Sequence, residues 1–366
     1  MGVPEGPPGT IYINRDRDFI TNEWGNFVKI GLVKDEREAE TRRKEHQTGN
    51  PREVLIVREF ESPLVTHLET RLHNRYAERR VSGEWFLMDD EFVQNELYPT
   101  IESMISKIEN DNPYYLRRLE LENVESNGVI REPTQDEIDL HEQYKDAKER
   151  NERVNASIAI LKRQLVEVAG TAGGINRIID FSVKINKESI KVDWKKLEEE
   201  NPNEIEPFLI FEDAKIGPVS GTLSIKKTQP LSKIDENLAN LESEAVSILK
   251  SITVSQAENA MLDYTDEAIS IHGEYLSLLG EEFDTGIEME LIKSKLADLL
   301  GEDEGIKDIV SWSRTPKEIP EKIKLNQKEF QKRHQQIVDA YSSIQPESKS
   351  VSIIVLGRKQ GRRYPF

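Results

Sequence analysis

The sequence predicts a chain of mixed class: an α+β N-terminal domain with a three-stranded sheet carrying helices, then coiled-coil and helical regions around a small α+β accessory module. Three observations predict it. Short β-branched and aromatic runs alternate with helix-forming stretches up to about residue 92. Apolar residues then recur at alternating spacings of three and four, the seam of a coiled coil, over 140–168 and again over 231–252. Between the seams, β-like runs at 178–185 and 190–194 follow the helix-breaking Gly170-Thr-Ala-Gly-Gly174.

In order, 10–14 and 27–31 read as strands, with turn-forming Asp, Asn and Gly between them. Residues 38–47 form a charged helix that stops at Thr48-Gly49-Asn50-Pro51. A third strand covers 54–60. Leu64, Leu68, Leu72 and Tyr76 then mark one face of an amphipathic helix, and 81–87 closes the unit. Domain boundaries follow: 1–92, a helical linker at 93–134, a coiled-coil helix with the accessory module at 135–228, a helical region at 229–345, and a strand with a basic tail at 346–366. Asn151 occupies a seam position, where a polar residue fixes register at some cost in stability. The seams fit self-association into a homo-oligomer or packing within one chain. No solenoid-type repeat is evident.

Composition bounds the function. With 36% apolar and 32% charged residues among 366, the chain reads as a polar protein. It lacks the run of about 20 apolar residues needed to span a bilayer, and the leader MGVPEGPPGT has neither the basic start nor the apolar stretch of a signal peptide. There is no cysteine, so thiolate metal sites and disulfides are excluded and a cytoplasmic location is the expectation. The net charge of −18 opposes nucleic-acid binding, which needs concentrated Lys and Arg. The acid is uneven, however: residues 1–92 hold 14 Lys/Arg against 18 Asp/Glu. Basic clusters remain at Arg42-Arg43-Lys44, at Arg71, Arg75, Arg79 and Arg80, and in the tail from Gly357.

The chemistry-bearing residues lie in five ordered elements: Tyr12 in the first strand; Val28-Lys-Ile-Gly31; Arg42-Arg-Lys-Glu-His-Gln-Thr-Gly-Asn-Pro51; Leu68-Glu-Thr-Arg-Leu-His73; and Gly83-Glu-Trp-Phe86. Over residues ~9–92 this resembles the GIY-YIG nuclease superfamily, in the phage and bacterial branch whose second motif reads K-I-G. The resemblance implies a Mg²⁺- or Mn²⁺-dependent DNA endonuclease in which Glu69 holds the metal, Tyr12 is the base and Arg42 contacts phosphate. The residue types suit those tasks. Phosphodiester hydrolysis needs a metal on the phosphoryl oxygen, a proton acceptor for water, and cations against developing charge. Glu69 is a hard oxygen ligand on a helix, and Arg42 offers a planar fork for phosphate. Lys29 is a source of positive charge to draw the Tyr12 pKa of about 10 downward. His46, one turn after Arg42, suits a proton relay.

Each role has a structural competitor. Tyr12 reads equally as a strand aromatic, Glu69 as a solvated helix residue and His46 as a bystander. Arg43 competes with Arg42, His73 reads as structural, and Trp85 and Phe86 read as core. Lys29 stands where the parent family has Tyr, and a charged lysine donates but cannot accept.

A weaker resemblance covers ~155–200. Leu161-Lys-Arg-Gln-Leu-Val-Glu-Val-Ala-Gly170 and Ser189-Ile-Lys-Val-Asp-Trp-Lys-Lys-Leu197 resemble the C-terminal segment of YqaJ-type phage exonucleases. It implies a non-catalytic accessory module. The expectation is therefore a DNA endonuclease in a phage or phage-related recombination or defence setting, working alone or with protein partners. The alternative is an inactive DNA- or protein-binding scaffold.

Overall fold

The computed structural model describes residues 2–34, 39–48 and 50–356. The tail from Gly357, residues 35–38 with the expected start of the first helix, and Gly49 lie outside the described residues.

The N-terminal sheet has five strands rather than the three expected, in the order β3-β1-β2-β5-β4. The long members are β1 (Gly9–Arg17), β2 (Trp24–Lys34) and β3 (Glu53–Ser62), with helix α1 (Ala39–Gln47) between β2 and β3. Helix α2 (Val65–Arg75) leads to the short hairpin β4 (Arg80–Ser82) and β5 (Trp85–Leu87). The sequence shows this hairpin as one run because the turn at Gly83-Glu84 is only two residues. Alternation along β1 and β2 sends Ile11, Ile13, Val28 and Ile30 into a core with Leu68 and Leu72 of α2. Tyr12 and Lys29, one residue out of phase, point to the other face.

The stretch expected as a linker belongs to this core. A helical turn α3 (Asp90–Phe92) and a π turn at Val93–Leu97 feed α4 (Tyr98–Leu121). Val93, Leu97, Ile101, Met104 and Ile108 pack on the sheet-facing cluster. Their spacing of three and four is ordinary amphipathic patterning, here serving the domain's own interior.

The rest of the chain is an entwined duplication that the sequence reading did not find. After β6 (Ile130–Arg131), the first copy runs α5 (Gln135–Ala169), β7 (Gly174–Ile175), β8 (Ile179–Asn186), β9 (Ser189–Val192), α6 (Trp194–Glu200), α7 (Pro202–Ile205), β10 (Leu209–Glu212), β11 (Lys215–Ser220) and β12 (Ser224–Ile225). Helices α8 (Leu231–Ile234), α9 (Glu236–Lys250) and α10 (Val254–Ala257) follow. The second copy runs α11 (Asp266–Leu300), β13 (Gly305–Ile306), β14 (Val310–Ser311), β15 (Thr315–Ile319), β16 (Lys322–Leu325), α12 (Gln327–Arg333), α13 (Gln335–Ala340), β17 (Ser342–Gln345) and β18 (Ser348–Val355). The region expected to be helical from 229 to 345 thus contains five strands of this second copy.

Both long helices have 35 residues and start after a threonine, Thr134 or Thr265. Each ends at a glycine of positive φ, 58° at Gly170 and 59° at Gly301, a conformation costly for residues with a Cβ. The same spacing separates His141 from His272 and Arg177 from Asp308. Both histidines are buried and bond a backbone carbonyl near the end of their own copy, Lys226 and Leu356 respectively. Arg177 and Asp308 are left-handed at 64° and 63°. The copies exchange strands: β8 pairs with β18, β9 with β17, β10 with β16, β11 with β15 and β12 with β14, all antiparallel.

The first seam is filled from within. Tyr144, Ala147, Val154, Ile158 and Leu161 are buried, and α5 packs against α11 and α9 of the same chain. Asn151 donates to the Thr285 hydroxyl at 2.8 Å and the Glu282 carbonyl at 3.1 Å. The second seam is not continuous, because Asp235 ends α8 and caps α9 by accepting from the Leu238 amide. No helix among the described residues is long and apolar enough to cross a membrane.

Candidate active site

The site forms where the β1–β2 ladder meets α1, α2 and the β4–β5 hairpin. In the ladder Tyr12 lies opposite Gly31 and Asn14 opposite Lys29. A Cβ on Gly31 would collide with the Tyr12 hydroxyl, so the glycine of K-I-G is the floor over which the phenol passes. The Tyr12 hydroxyl lies 3.3 Å from Nε2 of His46, on α1. Burial raises the phenol above its ordinary value, while the neighbouring Arg42 guanidinium acts in the opposite sense. Burial, then the charges of Lys29 and Arg42, hold the His46 imidazole below its ordinary value.

The choice between the two arginines of α1 is geometric. Arg43 bonds the Glu40 carboxylate at 2.8 Å and the Val54 carbonyl at 3.1 Å, strapping the helix to β3. Arg42 faces Tyr12 and holds Glu45 at 2.8 Å.

Glu69 enters from α2. Its charge is felt at the Tyr12 phenol, and it in turn senses Glu84, Lys29, Arg80 and Arg42. Burial first, then the Glu84 charge, pushes its carboxyl up to about 7. The five residues singled out in the sequence (Tyr12, Lys29, Arg42, His46 and Glu69) are therefore neighbours.

Lys29 has a different job from the one expected. It is buried and ion-paired with Glu84, and it is not among the main causes of the Tyr12 shift. The cation acting on the phenol is Arg42. Burial, with the negative charge of Glu84 added, outweighs the Arg42 effect, so Tyr12 is shifted up where a downward shift was expected.

Two further site residues were missed. Burial raises the Glu84 carboxyl most, but the bond to Lys29 and the charges of Lys29, His73 and Arg42 together leave it below the ordinary range. Arg80 is also buried; its Nε donates to the Gly83 carbonyl and its Nη2 to His73 Nδ1, the latter at 3.2 Å. His73 Nε2 donates to the Ile30 carbonyl at 2.8 Å, and burial beside Arg80 drops its pKa to about 4. A neutral imidazole with Nδ1 as acceptor ties the K-I-G strand, the Glu69 helix and the Gly83 turn together. The available signal was Glu84 itself, a carboxylate inside the Gly83-Glu-Trp-Phe86 motif next to Trp85, the cross-strand partner of Lys29. Phe86 is core as expected, whereas Trp85 is only half-buried on the opposite face.

Among the described residues no group of three or more His, Asp or Glu is arranged to hold a metal. Two acidic side chains, Glu69 and Glu84, do share the pocket. That fits Mg²⁺, which takes one or two carboxylates and keeps several waters. A carboxyl pushed up to about 7 by burial first and a second carboxylate next is one that a bound cation would stabilise in its charged form.

The N-terminal α/β module thus brings Tyr, His, Arg and Glu side chains together in one polar site. Its family match is the T5orf172 domain, over residues 9–105, which includes the first turns of α4 that complete the core. That domain occurs in phage and bacterial proteins resembling homing endonucleases and is loosely related to GIY-YIG-type nucleases. It suggests a nuclease-like, DNA-acting function. No curated protein and no solved structure matches the chain.

Proposed function

We propose that this chain is a metal-dependent DNA endonuclease of the GIY-YIG type that hydrolyses phosphodiester bonds in a phage or phage-related setting. The observation that carries the reading is the Tyr12 hydroxyl set between His46 and Arg42, with Glu69 beside them. Glu69 is the residue to hold Mg²⁺ or Mn²⁺, with Glu84 facing it. When bound, the ion supplies positive charge against the phosphoryl oxygen.

The chain's own groups do the rest. Arg42 offers its fork to a non-bridging phosphate oxygen and stabilises the charge that develops there. A phenol whose pKa is raised is a poor free base at neutral pH, so Tyr12 works as a relay. It accepts the proton of the attacking water as its own proton passes to His46 Nε2. The neutral state that burial and the adjacent cations impose on His46 leaves that nitrogen able to accept. Lys29 and Glu84 tie the central strand β2 to the turn between β4 and β5, and His73 with Arg80 fixes the orientation of the Glu69 helix.

Plasmid nicking with Mg²⁺ by wild type beside Glu69→Ala tests the reading; equal inertness of both on several DNA forms removes it. A His46→Gln variant should nick far more slowly, and at saturating Mg²⁺, where the ion would keep Glu69 ionised, the wild-type rate should fall on the acid side only below the ordinary imidazole value of 6.5. The neutralised Lys29–Glu84 pair favours a second reading, an inactive DNA- or protein-binding scaffold. The same nicking assay separates the two.

A further inference from the structure

The turn joining β1 to β2 exposes more apolar surface than its size requires. Ile20 is 90% exposed and Phe19 61%, with Trp24 at 42% and Phe27 at 43% just behind them. The tip is nevertheless tightly built. The Asp18 carboxylate accepts from the amides of Ile20 at 2.8 Å and Thr21 at 2.9 Å, and the Asp18 amide donates to the Glu23 carbonyl at 2.9 Å. Arg52 braces the turn from β3 through the Asp18 carboxylate at 3.3 Å and the Glu23 carbonyl at 2.9 Å. Two large apolar side chains are thus held out in water by an ordered scaffold.

We propose that this tip is a wedge that unstacks bases in the DNA cleaved at the neighbouring site. The inference rests on the nuclease reading and names the state in which its substrate is held. Two observations, its place on the site's own strands and its shape, select DNA as the occupant. The wedge is the far end of the same two strands that carry Tyr12 and Lys29. At ~3.3 Å per residue it stands within about 25 Å of Tyr12, roughly seven base steps of a duplex whose phosphate lies there. At the root of the wedge the Trp24 ring packs against the guanidiniums of Arg15 at 5.1 Å and Arg17 at 5.7 Å, which Asp90 and Glu53 hold in turn, so the base of the tip is fixed. The apolar group is also a narrow convex tip, too small to make the ~800 Å² per partner of a standard protein interface, but shaped to enter a slot between base pairs. Insertion of Phe19 and Ile20 would unstack a base step and kink the duplex there.

The test uses the full chain. The nicking position is mapped with wild type, and Glu69→Gln protein is then bound to duplexes carrying 2-aminopurine at successive steps around it. The expected result is a several-fold rise in fluorescence at one step within about seven base pairs of the nick. The rise should be lost in a Phe19→Ser/Ile20→Ser background, kept with Phe19→Leu/Ile20→Leu, and matched by at least a tenfold fall in nicking kcat/KM for the serine pair. Nicking with no rise at any step, or unchanged nicking by the serine pair, overturns the wedge and leaves the nuclease reading intact. Absence of nicking by wild type removes both.

Discussion

At the scale of single residues, the pocket is set by contacts that leave no room. Gly31 lies under the Tyr12 hydroxyl, so Gly31→Ala must push the phenol off His46 or bend β2. The variant should keep its far-ultraviolet circular dichroism while losing at least tenfold in nicking rate. Nicking at wild-type speed would show that the Tyr12 position is unimportant. Glu69 gives a prediction in pH. Its carboxyl ordinarily titrates at 4.5 and is held up to about 7 in the folded chain, so the folded state binds the extra proton between those values. Stability from this group is therefore full below 4.5 and falls as pH rises towards 7. Without divalent cation, Glu69→Gln should melt higher than wild type at pH 8, by up to about 3 kcal/mol, and match it near pH 4. Added Mg²⁺ should narrow the gap at pH 8 by stabilising only the wild type. His73 works in the opposite sense: its folded value of about 4 against 6.5 gives stability that is lost as pH falls through that window. The comparison with Glu69→Gln isolates the carboxyl because both proteins keep His73.

At the scale of elements, the N-terminal domain and the duplicated module meet through helices. Gly280 in α11 lets that helix approach the end of α2, where a Cβ would lie 3.0 Å from the Asn74 carbonyl. Nearby, Arg71 of α2 bonds Asp284 at 3.0 Å, and Arg118 of α4 bonds the buried Glu290 at 2.9 Å. A polar cavity of about 690 Å³ lies beside this contact, between Arg75, Lys107, Asp111 and Arg150. Gly280→Val should hold α11 off α2 and destabilise the chain by about 1–3 kcal/mol, since overpacking a close contact costs that much. Urea unfolding reads the loss, and limited proteolysis should cut between α4 and α5 sooner than in wild type. An unchanged midpoint and cutting pattern would show that the helix contact is loose. The long helices and the three long N-terminal strands were legible because their signals are local, as with the four-residue repeat of Leu64, Leu68, Leu72 and Tyr76 in α2, whereas β10, β11 and the strands from β13 to β17 were not. The β4–β5 hairpin was not, because three-residue strands carry too little pattern to separate from a single run.

At the scale of the whole molecule, the duplication governs folding. Each longer strand of one copy finds its partner in the other, so a single copy leaves β8, β9, β10 and β11 with open edges. A chain ending at residue 228 should therefore be insoluble, or should recruit a second copy of itself and run as a dimer. Light scattering decides this, and a folded, monodisperse monomer would contradict the exchange. In the intact chain α5 is already covered by α11 and α9, which uses up the seam that the sequence offered for oligomer formation. The duplication escaped notice because only a few positions hold it together, among them the histidines, the helix-ending glycines and the left-handed pair after them. Strand exchange between residues far apart also leaves no local pattern.

The sequence by itself determined the ordered motif from Tyr12 to Phe86, the helix faces and the absence of thiol chemistry, because residue type and short-range periodicity encode those directly. Only the tertiary structure decided that Glu84 neutralises Lys29, that Arg42 rather than Arg43 meets Tyr12, and that two distant halves share one set of sheets. Those outcomes depend on burial and on through-space charge between residues that the chain brings together only when folded.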